Sequence, residues 1–108
     1  MIRLVNEQKA KPFEFLINLI PPGRAEAIPM KTLSKLLDCP SSDVRESILN
    51  ARKVGVLICS GDDGYYFPAD DGELKEYVNR RRKYIRTAEF ALKHFEEVLT
   101  EYEDGDLT

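Results

Sequence analysis

Residues 30–68 decide the fold, and they read MKTLSKLLDCPSSDVRESILNARKVGVLICSGDDGYYFP. The first eight residues predict a helix, because apolar side chains recur there at helical spacing. The apolar positions are Met30, Leu33, Leu36 and Leu37, and the polar positions are Lys31, Ser34 and Lys35. This helix is the second of three that we predict before the hairpin.

A tight break separates the second helix from the third. Residues 38–41 read DCPS, and Ser41 or Ser42 is a suitable N-cap for the helix that follows. The apolar positions of the third helix are Val44, Ile48 and Ala51. Gly55 fits the position just beyond its end, where a left-handed residue is usual.

A β-hairpin is expected after the third helix. Residues 56–59 form a short apolar strand, residues 60–64 have the composition of a turn, and residues 65–67 form an aromatic strand that Pro68 ends. Two strands alone are not stable in water, so the hairpin must pack on the helices.

The segment before residue 30 predicts one further helix. Residues 1–12 have weak periodicity and are expected to be a loose arm or a short strand. Residues 13–20 are strongly apolar and follow Pro12, which favours a helix that ends before the break at residues 21–23. Ile28 precedes a proline and is expected to be extended.

One long helix is predicted from residue 70 to the end of the chain, because no proline interrupts this segment. Apolar residues recur at alternating spacings of four and three, which is typical of a coiled-coil seam and predicts dimerisation. The seam consists of Leu74, Val78, Arg81, Ile85, Ala88, Leu92, Phe95, Leu99 and Tyr102. A flanking row, Tyr77, Tyr84, Ala91 and Val98, widens the stripe. The alternative is that this stripe packs on the first helix and the hairpin of the same chain.

Composition sets the broad class. The chain has 108 residues, a net charge of −3 and 43% hydrophobic residues, which suits one small core with an appendage. Cys39 and Cys59 are too few and too far apart for a disulfide framework or a paired-ligand zinc site.

No apolar run resembles a signal peptide or a membrane span, so the expected location is cytoplasmic. His94 is the only histidine, and no arrangement of residues indicates an enzyme, a metal site, a cofactor or a small-molecule substrate.

The order of helix, helix, tight turn, helix and hairpin matches the winged helix-turn-helix arrangement. Residues 28–60 and 64–68 also resemble the small winged-helix proteins of bacterial phages and prophages. We therefore expect a mainly helical α+β protein, with a winged-helix domain over residues 1–69 and a long helix with an acidic tail over residues 70–108. The resemblance implies a DNA-binding regulator of transcription or replication. The turn at residues 61–64 departs from it, because Asp62 and Asp63 stand where a DNA-contacting wing usually carries basic residues.

Binding to double-stranded DNA would use the third helix in the major groove. Arg45 matches a guanine edge and Asn50 an adenine edge, because each side chain can bond a base bidentately. The remaining predicted contacts are Lys31, Lys35, Ser42, Arg52 and Lys53. The alternative is a protein-interaction module of the same fold that binds no DNA.

The densest positive charge lies at residues 80–83, with Arg86 one turn later. It is either a patch for nucleic acid or another anionic partner, or a solvated face that pairs with acidic groups on a neighbour. Residues 96–106 favour the second interpretation, because they carry six acidic residues and no basic one. Two such helices in antiparallel orientation would bring opposite charges together.

Overall fold

The computed structural model describes residues 7–106, with side chains described for residues 9–104. The fold is mainly helical α+β, with a two-stranded antiparallel sheet and a long C-terminal helix. The chain divides into two compact units, and the boundary falls between Tyr77 and Val78. The first two turns of the long helix therefore belong to the first unit, whereas the division expected from the sequence lies after residue 69.

The N-terminal segment is helical earlier than the sequence predicts. Helix α1 covers Glu7–Ala10, a 3₁₀ turn covers Lys11–Phe13, and helix α2 covers Glu14–Ile17. The expectation of an arm or strand up to residue 12 is wrong for residues 7–12, and residues 1–6 lie outside the described residues. The apolar run from residue 13 is helical as predicted, although regular helix ends at Ile17.

The two central helices follow the predicted order. Helix α3 covers Met30–Leu37, with the predicted bounds, and helix α4 covers Ser41–Lys53. The predicted N-cap is wrong, because Pro40 occupies the cap position in an extended conformation and no side chain caps the helix. Leu36 is also not a core residue, since 58% of it is exposed.

The first strand of the hairpin begins three residues later than the sequence predicts. Strand β1 covers Cys59–Gly61 and strand β2 covers Gly64–Tyr66, joined by a two-residue turn. The sequence places the first strand at residues 56–59, where the structure is mostly irregular. Ile28 is extended as predicted and forms an antiparallel bridge with Tyr65, while Pro22 forms a parallel bridge with Phe67.

The core of the first unit lies between the N-terminal helices, α3, α4 and the hairpin. Its buried side chains are Ala10, Leu16, Ile20, Leu33, Val44, Ile48, Ala51, Val56, Ile58, Cys59 and Tyr66. Burial of each large apolar side chain contributes about 1.5–3 kcal/mol, so these residues fix the positions of α3 and α4.

Helix α5 covers Asp71–Asp106 and is 36 residues long. Asp70 caps it, because its Oδ1 accepts a hydrogen bond from the Glu73 backbone N–H at 2.8 Å. Asp71 and Glu73 add negative charge to the first turn, where the helix dipole favours it. Within the described residues, no helix combines the length and apolar character needed to cross a membrane.

Candidate nucleic-acid interface

Helix α4 is anchored on one face and open on the other. Val44, Ile48 and Ala51 are buried in the core, and they recur at helical spacing. Outside this buried stripe the exposed residues of α4 are Ser42, Asp43, Arg45, Glu46, Leu49, Asn50 and Lys53. A helix held in this way presents a fixed outer surface to a partner.

The turn between α3 and α4 fixes the relative position of the two helices. Asp38 adopts the left-handed conformation, with φ 51°, and its N–H donates to the carbonyl of Lys35. The Cys39 N–H donates to the Ser34 carbonyl at 3.1 Å, and the Ser34 hydroxyl donates back to the Cys39 carbonyl. The sequence places Ser34 only on a polar helix face, so its role in the turn was missed.

Helix α3 carries two exposed lysines. Lys31 and Lys35 are both exposed, and they lie on the face opposite the buried Leu33. Leu36 is exposed on the flank of the same helix, and 51% of Leu49 is exposed on α4. The exposed surface of α3 and α4 is therefore mixed, with basic, acidic, amide and apolar groups.

Arg52 differs from the other predicted contacts. Its Nε donates to the Ile58 carbonyl at 2.8 Å and its Nη2 donates to the Ser60 hydroxyl at 3.2 Å. Its guanidinium also lies 5.9 Å from the centre of the Tyr77 ring, within the range of a cation–π contact. These contacts join α4, the hairpin and the start of α5, and they engage Nε and Nη2 of Arg52 within the first unit.

The tip of the hairpin is acidic and closely held. Asp62 and Asp63 are exposed and form the turn between β1 and β2. Gly64 has φ 127°, and a Cβ atom there would lie 2.1 Å from the Ile28 carbonyl oxygen. Only glycine fits this approach, which keeps the acidic turn beside the start of α3. A small depression there is lined by Pro29, Met30 and the turn residues.

A carboxylate that sequence reasoning missed connects the start of α5 to an early turn of the chain. The Glu73 carboxylate accepts hydrogen bonds from the backbone N–H groups of Ala69, at 2.9 Å, and Arg24, at 3.2 Å. Arg24 in turn forms an ion pair with Glu76 at 3.2 Å. The sequence carries no short motif for this contact, because Arg24 and Glu73 are 49 positions apart.

Within the described residues, the second unit is the part of α5 that follows Tyr77, and side chains 81–104 are all exposed. The predicted seam residues from Val78 to Tyr102 lie in this second unit. Leu74 is on the same helix but belongs to the first unit, where it is half-buried. Arg81 lies over Tyr84, with the guanidinium carbon 5.2 Å from the ring centre. His94 contacts Phe90 edge-on and lies 3.9 Å from Glu97. The part of the chain that the structure describes contains no group of three or more His, Cys, Asp or Glu side chains suited to a metal ion.

Comparisons of the chain with protein-family models, with curated proteins and with solved structures gave no match.

Proposed function

We propose that the chain is a DNA-binding protein of the winged-helix type, acting as a homodimer in the control of transcription or replication in a phage or bacterium. In this proposal α2, α3 and α4 are the three helices, and the hairpin β1–β2 is the wing. The bridge between Ile28 and Tyr65 supports it, because it attaches the hairpin to the strand-like segment before α3.

One observation carries the proposal. Helix α4 buries Val44, Ile48 and Ala51 and exposes Arg45 and Asn50, and α3 exposes Lys31 and Lys35. Side chains of these types match base edges and phosphates, and a helix of this diameter fits the major groove. Arg45 and Asn50 would contact bases, and Ser42, Lys31, Lys35 and Lys53 would contact the backbone.

The experiment measures binding of the full chain to pools of genomic and random duplex DNA over a salt series. We expect affinity to fall as salt rises, with a slope set by the number of phosphates contacted. Arg45→Glu should abolish binding, and Asn50→Ala should reduce discrimination between sequences by about 1–3 kcal/mol per affected base pair. Lys11→Glu is the control, because it changes the net charge equally but lies outside α3 and α4. Equal effects of Arg45→Glu and Lys11→Glu on DNA binding would contradict the proposed contact between DNA and the exposed residues of α4.

A second candidate is a protein-interaction module of the same fold. The exposed Asp62 and Asp63 favour it, since they would face phosphates unfavourably, and the exposed Leu36 and Leu49 suit a protein surface. No binding to any duplex at low salt, from a protein that is folded by circular dichroism, would decide for this candidate.

A further inference from the structure

Helix α5 carries an apolar stripe from Val78 to Tyr102, in the second unit. Phe95 is 72% exposed and Tyr102 is 69% exposed, and Ile85, Leu92 and Leu99 are each about half exposed. From Val78 to Tyr102 the stripe runs for about 36 Å at 1.5 Å per residue. An exposed apolar stripe of this length, interrupted only at Arg81, is typical of an interaction site.

The charges along the same helix are sorted by position. Residues 80–86 carry Arg80, Arg81, Arg82, Lys83 and Arg86, and residues 96–104 carry Glu96, Glu97, Glu101, Glu103 and Asp104. A parallel pair of these helices would place like charges beside each other at both ends. An antiparallel pair places each basic block beside an acidic one, so the charge order suits a second copy of this chain in antiparallel orientation.

We propose that α5 binds the α5 helix of a second copy of this chain, antiparallel and centred at Phe90. In this register Val78 packs against Tyr102 of the partner subunit, and Ile85 packs against Phe95 of the partner subunit. Ala88 meets Leu92 of the partner subunit, which sets a small side chain against a large one. Every exposed apolar residue of the seam then has an apolar neighbour, except Leu99, which covers Arg81 of the partner subunit.

The flanking charges distinguish this register from its nearest competitor. With the centre at Phe90, Arg82 lies beside Glu96 of the partner subunit. The one pair of like charges is Glu89 with Glu89 of the partner subunit. A shift of one heptad would pair Arg82 with Glu89 of the partner subunit. That shift would also place the acidic residues 71–76 beside residues 97–102, which include two glutamates. Repulsion there disfavours the shifted register.

The inference shares with the proposed function only the statement that the chain is a homodimer, and it does not require DNA binding. Sedimentation equilibrium of the full chain gives the dimer dissociation constant. We expect Arg82→Glu to weaken the dimer about tenfold, because two symmetric pairs become repulsive. Adding Glu96→Arg should restore the wild-type value, and adding Glu89→Arg should not. Lys83→Glu is the matched control, since it makes the same charge change on the outer face of the helix.

Disulfide cross-linking tests the orientation independently. The background carries Cys39→Ser, and Cys59 is buried in the core. A mixture of Val78→Cys and Tyr102→Cys chains should give the mixed dimer, and Tyr102→Cys alone should give little, because its own counterpart lies about 36 Å away along the axis. Efficient cross-linking of Tyr102→Cys to itself would overturn the antiparallel arrangement. A wild-type chain that stays monomeric at high micromolar concentration would overturn the proposal as a whole.

The two proposals fail separately. Loss of DNA binding in Arg45→Glu with an unchanged dimer constant supports the proposed contact between DNA and α4 without testing α5. A dimer that follows the charge-swap pattern but binds no duplex DNA supports the antiparallel helix pair and contradicts only the proposed DNA-binding function.

Discussion

Arg52 donates a hydrogen bond from Nε to the backbone carbonyl of Ile58, at 2.8 Å, and so connects the end of α4 to the segment that enters the hairpin. Its Nη2 reaches Ser60, and its guanidinium lies near the Tyr77 ring. Sequence spacing alone groups Arg52 with Lys53 as a phosphate contact. The structure separates the two neighbours, because Lys53 is exposed and Arg52 is half-buried.

Arg52→Ala is therefore expected to lower the free energy of unfolding by about 1–3 kcal/mol, since the Ile58 carbonyl loses a charged donor. Thermal and urea denaturation measure this loss. Lys53→Ala, one position along, should change stability by less than about 0.5 kcal/mol. At a temperature where both variants are folded, Lys53→Ala should weaken DNA binding more than Arg52→Ala. The reverse order would show that Arg52 belongs to the proposed DNA contacts.

Gly64→Ala is expected to destabilise the hairpin by more than about 2 kcal/mol. Gly64 has a positive φ, and the added Cβ would overlap the Ile28 carbonyl oxygen at 2.1 Å. Gly61, its partner across the ladder, does not have a positive φ and provides the control. Denaturation with near-ultraviolet circular dichroism of the tyrosines measures both variants. Equal tolerance of Gly61→Ala and Gly64→Ala would show that the bridge between Ile28 and Tyr65 does not constrain the hairpin.

The parts of the fold that the sequence predicts well are those that periodicity controls. The bounds of α3, the buried face of α4 and the length of α5 follow from apolar residues at helical spacing. The bounds of β1 do not, because Val56 and Ile58 are buried while the chain between α4 and the hairpin is irregular. A buried irregular segment and a buried β-strand have the same apolar composition, so the sequence alone does not distinguish them.

The predicted interface is limited in a similar way. Arg45 and Asn50 fall outside the buried stripe of Val44, Ile48 and Ala51, so helical periodicity predicts their exposure. The contacts of Arg52 depend on where the hairpin packs, and those of Glu73 on where Arg24 lies. Such contacts between distant segments leave no local pattern in the sequence.

Glu73→Ala is expected to lower stability by about 1–3 kcal/mol, because the backbone N–H groups of Arg24 and Ala69 lose their acceptor. Glu73→Gln keeps one acceptor oxygen and should cost less than half as much. Lys75→Ala, on an exposed position of the same turn, is the control. Urea denaturation ranks the three variants. If Glu73→Gln were as harmful as Glu73→Ala, the negative charge near the helix N-terminus would matter more than the hydrogen bonds.

Arg81→Leu is expected to tighten self-association at least tenfold while making the product less uniform. A polar residue within a coiled-coil seam reduces stability and restricts register and oligomer number. Arg81 occupies a seam position and lies over Tyr84, so its replacement by leucine removes that restriction. Sedimentation velocity should show species larger than a dimer, and Lys83→Leu should not produce them. A uniform Arg81→Leu dimer with unchanged affinity would place Arg81 outside the seam.

The acidic turn of the hairpin gives the sharpest test of how the proposed wing meets DNA. Asp62 and Asp63 are exposed, and in a winged helix docked through α4 the turn would lie near the phosphate backbone. The double change Asp62→Asn and Asp63→Asn should then raise affinity for DNA about threefold to tenfold at low salt and little at high salt. Asp70→Asn and Asp71→Asn together remove the same charge at the start of α5 and serve as the control for net charge. An equal gain from both double variants would mean that the hairpin turn does not approach the DNA and that α4 binds without it.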